Sequence, residues 1–596
     1  MADGKVVRIG GASGFWGDTS LGPAQLFAQD NLDYVVLDYL AEVTMSILAK
    51  AKAKAPEAGY ALDFVTEVMR PHIHAIAEKK IRIVTNAGGL NPAACRHALE
   101  RLAAEAGVEI KIGLVHGDDL SPRFVALREG LREIDSGAEP PEAVLSANAY
   151  LGAFPIARAL DLGADIVITG RCVDSALALG PLIHEFGWRE TDYDRLAAGS
   201  LVGHLVECGA QASGGNFTDW EGVAGGWENT GFPICEVLSD GVFVITKPEG
   251  TGGAVTPLTA AEQMIYEIGD PARYLLPDVV CDFASVRMEA AGPNRVRVSG
   301  ARGSAPTTYL KACATYADGY SCVGAFAVAG EHAVAKARRQ GEAVLARTAV
   351  MLAQRQLPPF TATNVAIVGE EALFGDADPA SIASRREAVL RLAVQHPSIK
   401  GADLFSREFV GSALTMAPGV TLLSPGRPKA SPVVRLFSFL IAKAAVPVDV
   451  EVGVETTPAP WAEGVRNATP STAQAPPSLP VGEQSNVPLR RLAVARGGDK
   501  GDKANIGVIA RRPEYWPWLR AFLTSERVAE RFASVNRGRV QRFDLPGVYG
   551  LNFLLHNALG GGGAASLHLD AQAKTYAQAL LDTPIPVSAE IARAMT

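Results

Sequence analysis

The chain has 596 residues, 48% of them apolar and 20% charged, and a net charge of −8 at pH 7. At about 150 residues per domain that length predicts two to four domains, and the mild negative charge argues against nucleic acid, which needs a basic face. The seven cysteines (95, 172, 208, 235, 281, 313 and 322) are odd in number, widely spaced and without a CxxC pair, which disfavours a disulfide framework and makes a reducing cytoplasm the expected location.

The N-terminus, MADGKVVRIGG, has no apolar h-region, so no secretory signal is expected. No window reaches the roughly 20 uncharged apolar residues of a membrane span, so no membrane association is expected either. Five β-branched runs follow one another: 6–11, 33–42, 81–89, 108–119 and 164–171. Helical spacing with glycine stops lies between them, at 96–107 and 154–163. Strands alternating with helices predict an α/β fold, a mostly parallel sheet with flanking helices. Ligands bind such sheets beyond the carboxyl ends of the strands. That places Gly10, Asp38, Glu42, Asn86, Asp118 and Arg171 on one rim.

Further along, 240–256 reads as a strand running into a glycine-rich loop, and 260–270 as a helix. Residues 275–330 look β-rich, 331–356 form a long amphipathic helix, and 381–395 a further helix. The large region is therefore drawn as 1–455, divisible into 1–240 and 241–455. Residues 456–487 are rich in Pro, Ser, Thr and Ala and read as a linker. Residues 488–596 form a small α+β domain containing GGDKGDKANIG and a glycine-rich turn, HNALGGGG.

The densest chemistry lies in Thr169–Trp220, where Arg171, Cys172, Asp174, His204, Glu207, Cys208 and Asn216 are interleaved with glycine. Small residues beside titratable groups suit a loop that comes close to a ligand. Arg171, just after a strand, is expected to anchor a carboxylate or phosphate. Cys172 beside it is a candidate nucleophile, and Asp174 a candidate acid/base or helix cap. His204, Glu207 and Cys208 share one helix face, which suits general acid/base work and, less well, zinc. No second ligand pair accompanies them, so no metal site is expected. Asn86, Gly88 and Gly89 follow the third strand and are candidate ligand contacts. Gly214 and Gly215, and the loop after Lys247 with Gly250, Gly252 and Gly253, offer backbone N–H groups to a phosphate. The loop GGASGFWGD only loosely matches a dinucleotide fingerprint. GGDKGDKANIG reads either as a solvated loop or as a segment that completes a site, most simply on a neighbouring subunit of a homo-oligomer.

These motifs carry a resemblance. GGASGFWGD, NAGGLNP, DIVITGRCVDSALALGPLIHEFGW, HLVECGAQASGGNFTDW and KPEGTGGAVT resemble the acyclic terpene utilisation AtuA family over about residues 5–450. GGDKGDKANIG and HNALGGGG resemble its small ferredoxin-like C-terminal domain over about 488–585. The resemblance implies a part in breaking down branched or terpenoid acyl-CoA compounds, with coenzyme A as part of the substrate and no separate cofactor. Hydratase or lyase chemistry on a 3-hydroxyacyl-CoA or enoyl-CoA fits the motifs best. A cysteine-dependent acyl-CoA thioesterase or transferase is the alternative. A non-catalytic partner of acyl-CoA carboxylase subunits is the third reading.

Overall fold

Each of the five runs expected as strands is one, and they pair with one another in parallel. In the computed structural model, which describes residues 4–375, 378–466 and 484–594, they are β1 (Val6–Ser13), β2 (Tyr34–Leu37), β3 (Arg82–Thr85), β4 (Ile112–His116) and, after β5 (Ser146–Ala149) departs for a second sheet, β6 (Ile166–Thr169). Their spatial order is β1-β2-β3-β6-β4. Val167 of β6 lies beside Val84 on one side and Gly113 on the other. β2 and β6 are buried throughout, as unbroken apolar strings covered on both faces should be.

The sheet as a whole is not mostly parallel. It has eleven strands, and the parallel five form only its centre. Antiparallel strands extend it beyond β1 (Ile234–Leu238, Phe243–Thr246, Val296–Ser299, Arg287–Ala290) and beyond β4 (Asp449–Val452, Glu455–Pro458). A parallel neighbour needs a long crossover, whereas an antiparallel one needs only a tight turn. The turn at Asp240-Gly241, where Gly241 has φ +89°, supplies one of these.

Helices cover both faces of the centre and form two separate apolar clusters. Helix Tyr193–Val206 is buried along nearly its whole length in one of them, since it is apolar or small on every side. The second sheet is antiparallel and centres on the 21-residue strand Tyr309–Ala329. Here the expected helix at 381–395 is corrected. Only Pro379–Ala383 is helical, and Glu387–His396 is a strand paired on both edges. The residues AVLRLAV alternate apolar and polar only partly, but Ala388, Leu390, Leu392 and Val394 all enter one core, and two flanking strands outweigh helix propensity.

The C-terminal unit is a four-stranded antiparallel sheet in the order Ala493–Lys500, Lys503–Ala510, Gly550–Leu555, Val540–Leu545. Helices Trp516–Phe522, Ser525–Arg531 and Tyr576–Leu581 pack into its core. The stretch around GGDKGDKANIG is a hairpin that turns at Gly501-Asp502. Of the expected linker, 467–483 lies outside the described residues. Its described ends are strands: Glu455–Pro458 in the large sheet, and Gln484–Pro488 paired with Pro584–Ser588. Among the described residues no helix is long and apolar enough to cross a membrane.

Candidate active site

The carboxyl ends of the parallel strands meet as their order requires, and side chains lock neighbouring ends together. After β3, Asn86 donates to Asp38, which follows β2, at 2.6 Å and accepts from Tyr39 N at 2.8 Å. Asn86 therefore positions Asp38. Burial, with the Asp174 charge nearby, pushes the Asp38 carboxyl well above the usual range. After β4, Asp118 accepts from Asn148 and from the backbone N–H of Arg171, each at 2.8 Å, and burial pushes it up to about 7.

Arg171 is 4% exposed. Its Nη1 donates to Asp174 at 2.7 Å and to Leu40 O at 2.9 Å, and its guanidinium lies 4.3 Å from the Tyr150 ring centre. It was expected to seize a substrate anion, but its carboxylate partner is already Asp174. Glu42 accepts from Tyr150 OH at 2.5 Å and lies 3.3 Å from Lys311 Nζ. Burial alone would raise the Glu42 carboxyl, but Lys311, Arg171 and Lys500 outweigh it and hold the group far below the usual carboxylate range.

The helix Tyr193–Val206 and its C-cap Glu207 place His204 and Glu207 together. His204 Nε2 faces Met264 O at 3.1 Å, so that nitrogen carries a proton. Nδ1 lies 2.9 Å from Glu207 Oε1. Burial would lower the His204 pKa, but the charge and contact of Glu207 raise it overall. Burial raises Glu207 in turn, partly offset by His204. Each group thus favours the charged form of the other. His204 is sealed in, whereas the Glu207 side chain is 13% exposed. Among the described residues no group of three His, Cys, Asp or Glu has a metal-holding arrangement.

Cys172 is fully buried beside Thr169, and burial pushes its thiol far up. A thiolate there is disfavoured. Gly88 packs against Thr169 O and Gly89 against Leu48 and Gly59. The expected phosphate loops are tied to each other. Lys247 Nζ donates to Thr251 O at 2.6 Å, Ala254 N to Ser213 O at 2.8 Å and Gly252 N to Asn229 O at 2.7 Å. A Cβ on Gly252 would sit 1.9 Å from Gly226 O, so this residue serves backbone packing. Gly214 meets Ala254 in the same way, Gly250 turns with φ +72°, Gly253 meets Ser213 O, and Asn216 adopts a left-handed φ of 56°. Gly215 O accepts from Arg496 Nη2 at 2.9 Å. In GGASGFWGD, a Cβ on Gly11 would lie 2.2 Å from Val206 O, so the end of the His204 helix fills the space a pyrophosphate would need.

Residues from distant segments complete the site. Glu42, Lys311, Asp174, Glu207, Glu267 and Lys500 come from separate parts of the chain, and their charges act on one another. All retain some exposure, from 13% for Glu207 to 45% for Lys500, so water reaches the space among them. Lys311 sits within a long strand and Tyr274 on a two-residue one, where nothing in the neighbouring sequence marks them out.

A model of the acyclic terpene utilisation proteins named AtuA matches residues 7–452, and one of the AtuA ferredoxin-like domain matches 487–586. The chain belongs to the AtuA family. No curated protein and no solved structure matches it. The two matched AtuA segments build one cavity: the larger supplies Glu42, Arg171, Asp174, His204, Glu207 and Lys311, and the ferredoxin-like domain supplies Lys500.

Proposed function

We propose that this AtuA protein is an enzyme of branched-chain or acyclic-terpenoid acyl-CoA breakdown, with hydratase- or lyase-type chemistry on a 3-hydroxyacyl-CoA or enoyl-CoA. The observation that carries the reading is the His204–Glu207 pair, with Glu207 reaching the cavity and its pKa raised by burial. A base with a raised pKa is suited to taking a weakly acidic proton near neutral pH. In the dehydration direction, Glu207 removes the C2 proton and the electron pair moves onto the thioester carbonyl. The C2=C3 bond then forms as the C3–O bond breaks, and Glu207 returns its proton to the departing hydroxide, so water leaves. Hydration is the reverse. In the lyase variant, Glu207 takes the 3-hydroxyl proton, C2–C3 breaks, C3 becomes a carbonyl and the enolate regains a proton at C2. Arg171 orients Asp174 through Nη1.

The test is deuterium incorporation at C2, read by mass spectrometry, when branched 3-hydroxyacyl-CoAs and enoyl-CoAs are incubated with the protein in D2O. Glu207→Gln is expected to lower it by about 100-fold or more. Incorporation unchanged in that variant would sink the reading. The thioesterase alternative has little support, because Cys172 is enclosed and its thiol held protonated. Neither a neighbouring subunit nor a carboxylase partner is required by this reading, because the C-terminal domain reaches the cavity of its own chain.

A further inference from the structure

The three cations of the cavity are not equivalent. Arg171 has Asp174 at 2.7 Å and Lys311 has Glu42 at 3.3 Å. Among the described residues Lys500 makes one ion pair, with Glu267 at 3.9 Å, beyond hydrogen-bond reach, and 45% of its side chain is exposed. Glu267 stands three positions after Met264, whose carbonyl oxygen faces His204 Nε2 at 3.1 Å, and this brings Lys500 to the pair. The Lys500 charge acts on His204, Glu207, Glu42 and Tyr274, and Asp174 acts on it in return. The ammonium therefore stands among these groups with room for a further partner. Burial would strip its proton, but Tyr274, Glu267, Asp174 and Glu42 hold it firmly protonated.

The C-terminal domain is built to present this residue. Lys500 pairs with Lys503 across the turn Gly501-Asp502, with Gly501 at φ +65°. Asp502 Oδ1 accepts from Leu559 N at 3.0 Å and from Gly561 N at 2.9 Å. Gly560 to Gly563 all have positive φ, and a Cβ on Gly562 would lie 2.0 Å from Gly501 O. HNALGGGG is thus the brace under the turn of GGDKGDK. The hairpin is then sealed onto the larger region. Arg496 pairs with Glu262 at 2.9 Å, with both side chains buried, and donates to Gln211 at 2.6 Å. Asn505 accepts from Glu267 N at 2.8 Å, and Asn552 donates to Gly269 O at 2.6 Å.

We propose that the ferredoxin-like domain supplies an active-site residue in cis: Lys500 is the cation that faces the Glu207–His204 pair and meets the negative charge developing on the substrate's carbonyl oxygen. The catalytic role rests on the reaction proposed above. A fixed positive charge aimed at a forming oxyanion lowers the barrier most where water is scarce. The domain is then neither a docking module nor an arm for a neighbouring subunit, and the anion-binding role passes from Arg171 to Lys500.

Lys500→Met and Lys500→Arg test this through two readouts. The first needs no substrate: the titration of His204, followed by NMR of 15N-histidine-labelled protein and assigned with His204→Asn. Besides Lys500, the titratable groups that face the pair are Asp38, Asp174, Cys208 and Tyr274, and none of these is altered. Removing the cation is expected to raise the His204 titration by about one pH unit in Lys500→Met and to leave it near the wild-type value in Lys500→Arg. An unchanged titration in Lys500→Met overturns the proposed placement. The second is C2 deuterium incorporation, expected to fall about 100-fold in Lys500→Met with partial recovery in Lys500→Arg. Full activity in Lys500→Met with none in Glu207→Gln overturns this inference and leaves the proposed reaction standing. Full activity in both variants removes both.

Discussion

Glu207 shows how environment sets the role of a side chain. It lies three positions after His204, a spacing visible in the sequence, but its raised pKa comes from burial that no local pattern reveals. If Glu207 acts as base, it must be ionised. Activity should therefore fall as pH drops through a value above the ordinary glutamate value of about 4.3. Initial rates between pH 4 and 9 will show that limb, and a limb in the ordinary range would count against Glu207. Cys172 is the converse case. Beside an arginine and after a strand it reads as a nucleophile, yet it is enclosed with its thiol held protonated. Cys172→Ala should keep nearly full activity at a stability cost of about 1 kcal/mol, and native Cys172 should resist iodoacetamide until the chain is unfolded. Peptide mapping before and after denaturation checks this.

Segments with strong period and clear stops were legible: the five parallel strands and the helices near 96–107 and 154–163 stand where their patterns put them. The segment 381–395 was not, because its residues tolerate both states and the pairing partners that decide lie far away in sequence. The hairpin at Lys500 is intermediate. Its Lys-Gly-Asp-Lys turn is visible, but what its tip meets is not. Its seat depends on the buried Arg496–Glu262 pair. Arg496→Met leaves Glu262 buried and unpaired, which should cost about 3–5 kcal/mol, and Arg496→Met/Glu262→Leu should recover most of it. Denaturant unfolding measures both, and a loss under about 1 kcal/mol in the single variant would refute this account of the interface.

Several acids are buried at strand ends and loops, so the fold as a whole responds to pH. Burial pushes Asp118 up to about 7 and Asp278 up to about 6, against about 3.9 in an unfolded chain. Between these values the folded state binds more protons than the unfolded one. Unfolding free energy therefore declines as pH rises from about 4 to about 7, and this contribution is level beyond that. Asp118→Asn can still accept from Arg171 N without ionising. It should flatten the decline and be about 2 kcal/mol more stable than wild type at pH 8, as read from denaturant curves across pH. A steeper decline in Asp118→Asn would contradict the assignment.

Residue order alone was enough for the parallel centre, the rim of polar strand ends, the separate small domain and the family, because periodicity, turn chemistry and long motifs are local properties. Folding in three dimensions settled which rim residues face a cavity and which are used up in packing. Arg171 and Lys247 are tied to internal partners, Cys172 is sealed, and Lys500 arrives from about 300 residues beyond Glu207. Charge balance, burial and free valence depend on neighbours brought together only by the fold, and those quantities separate a working side chain from a structural one.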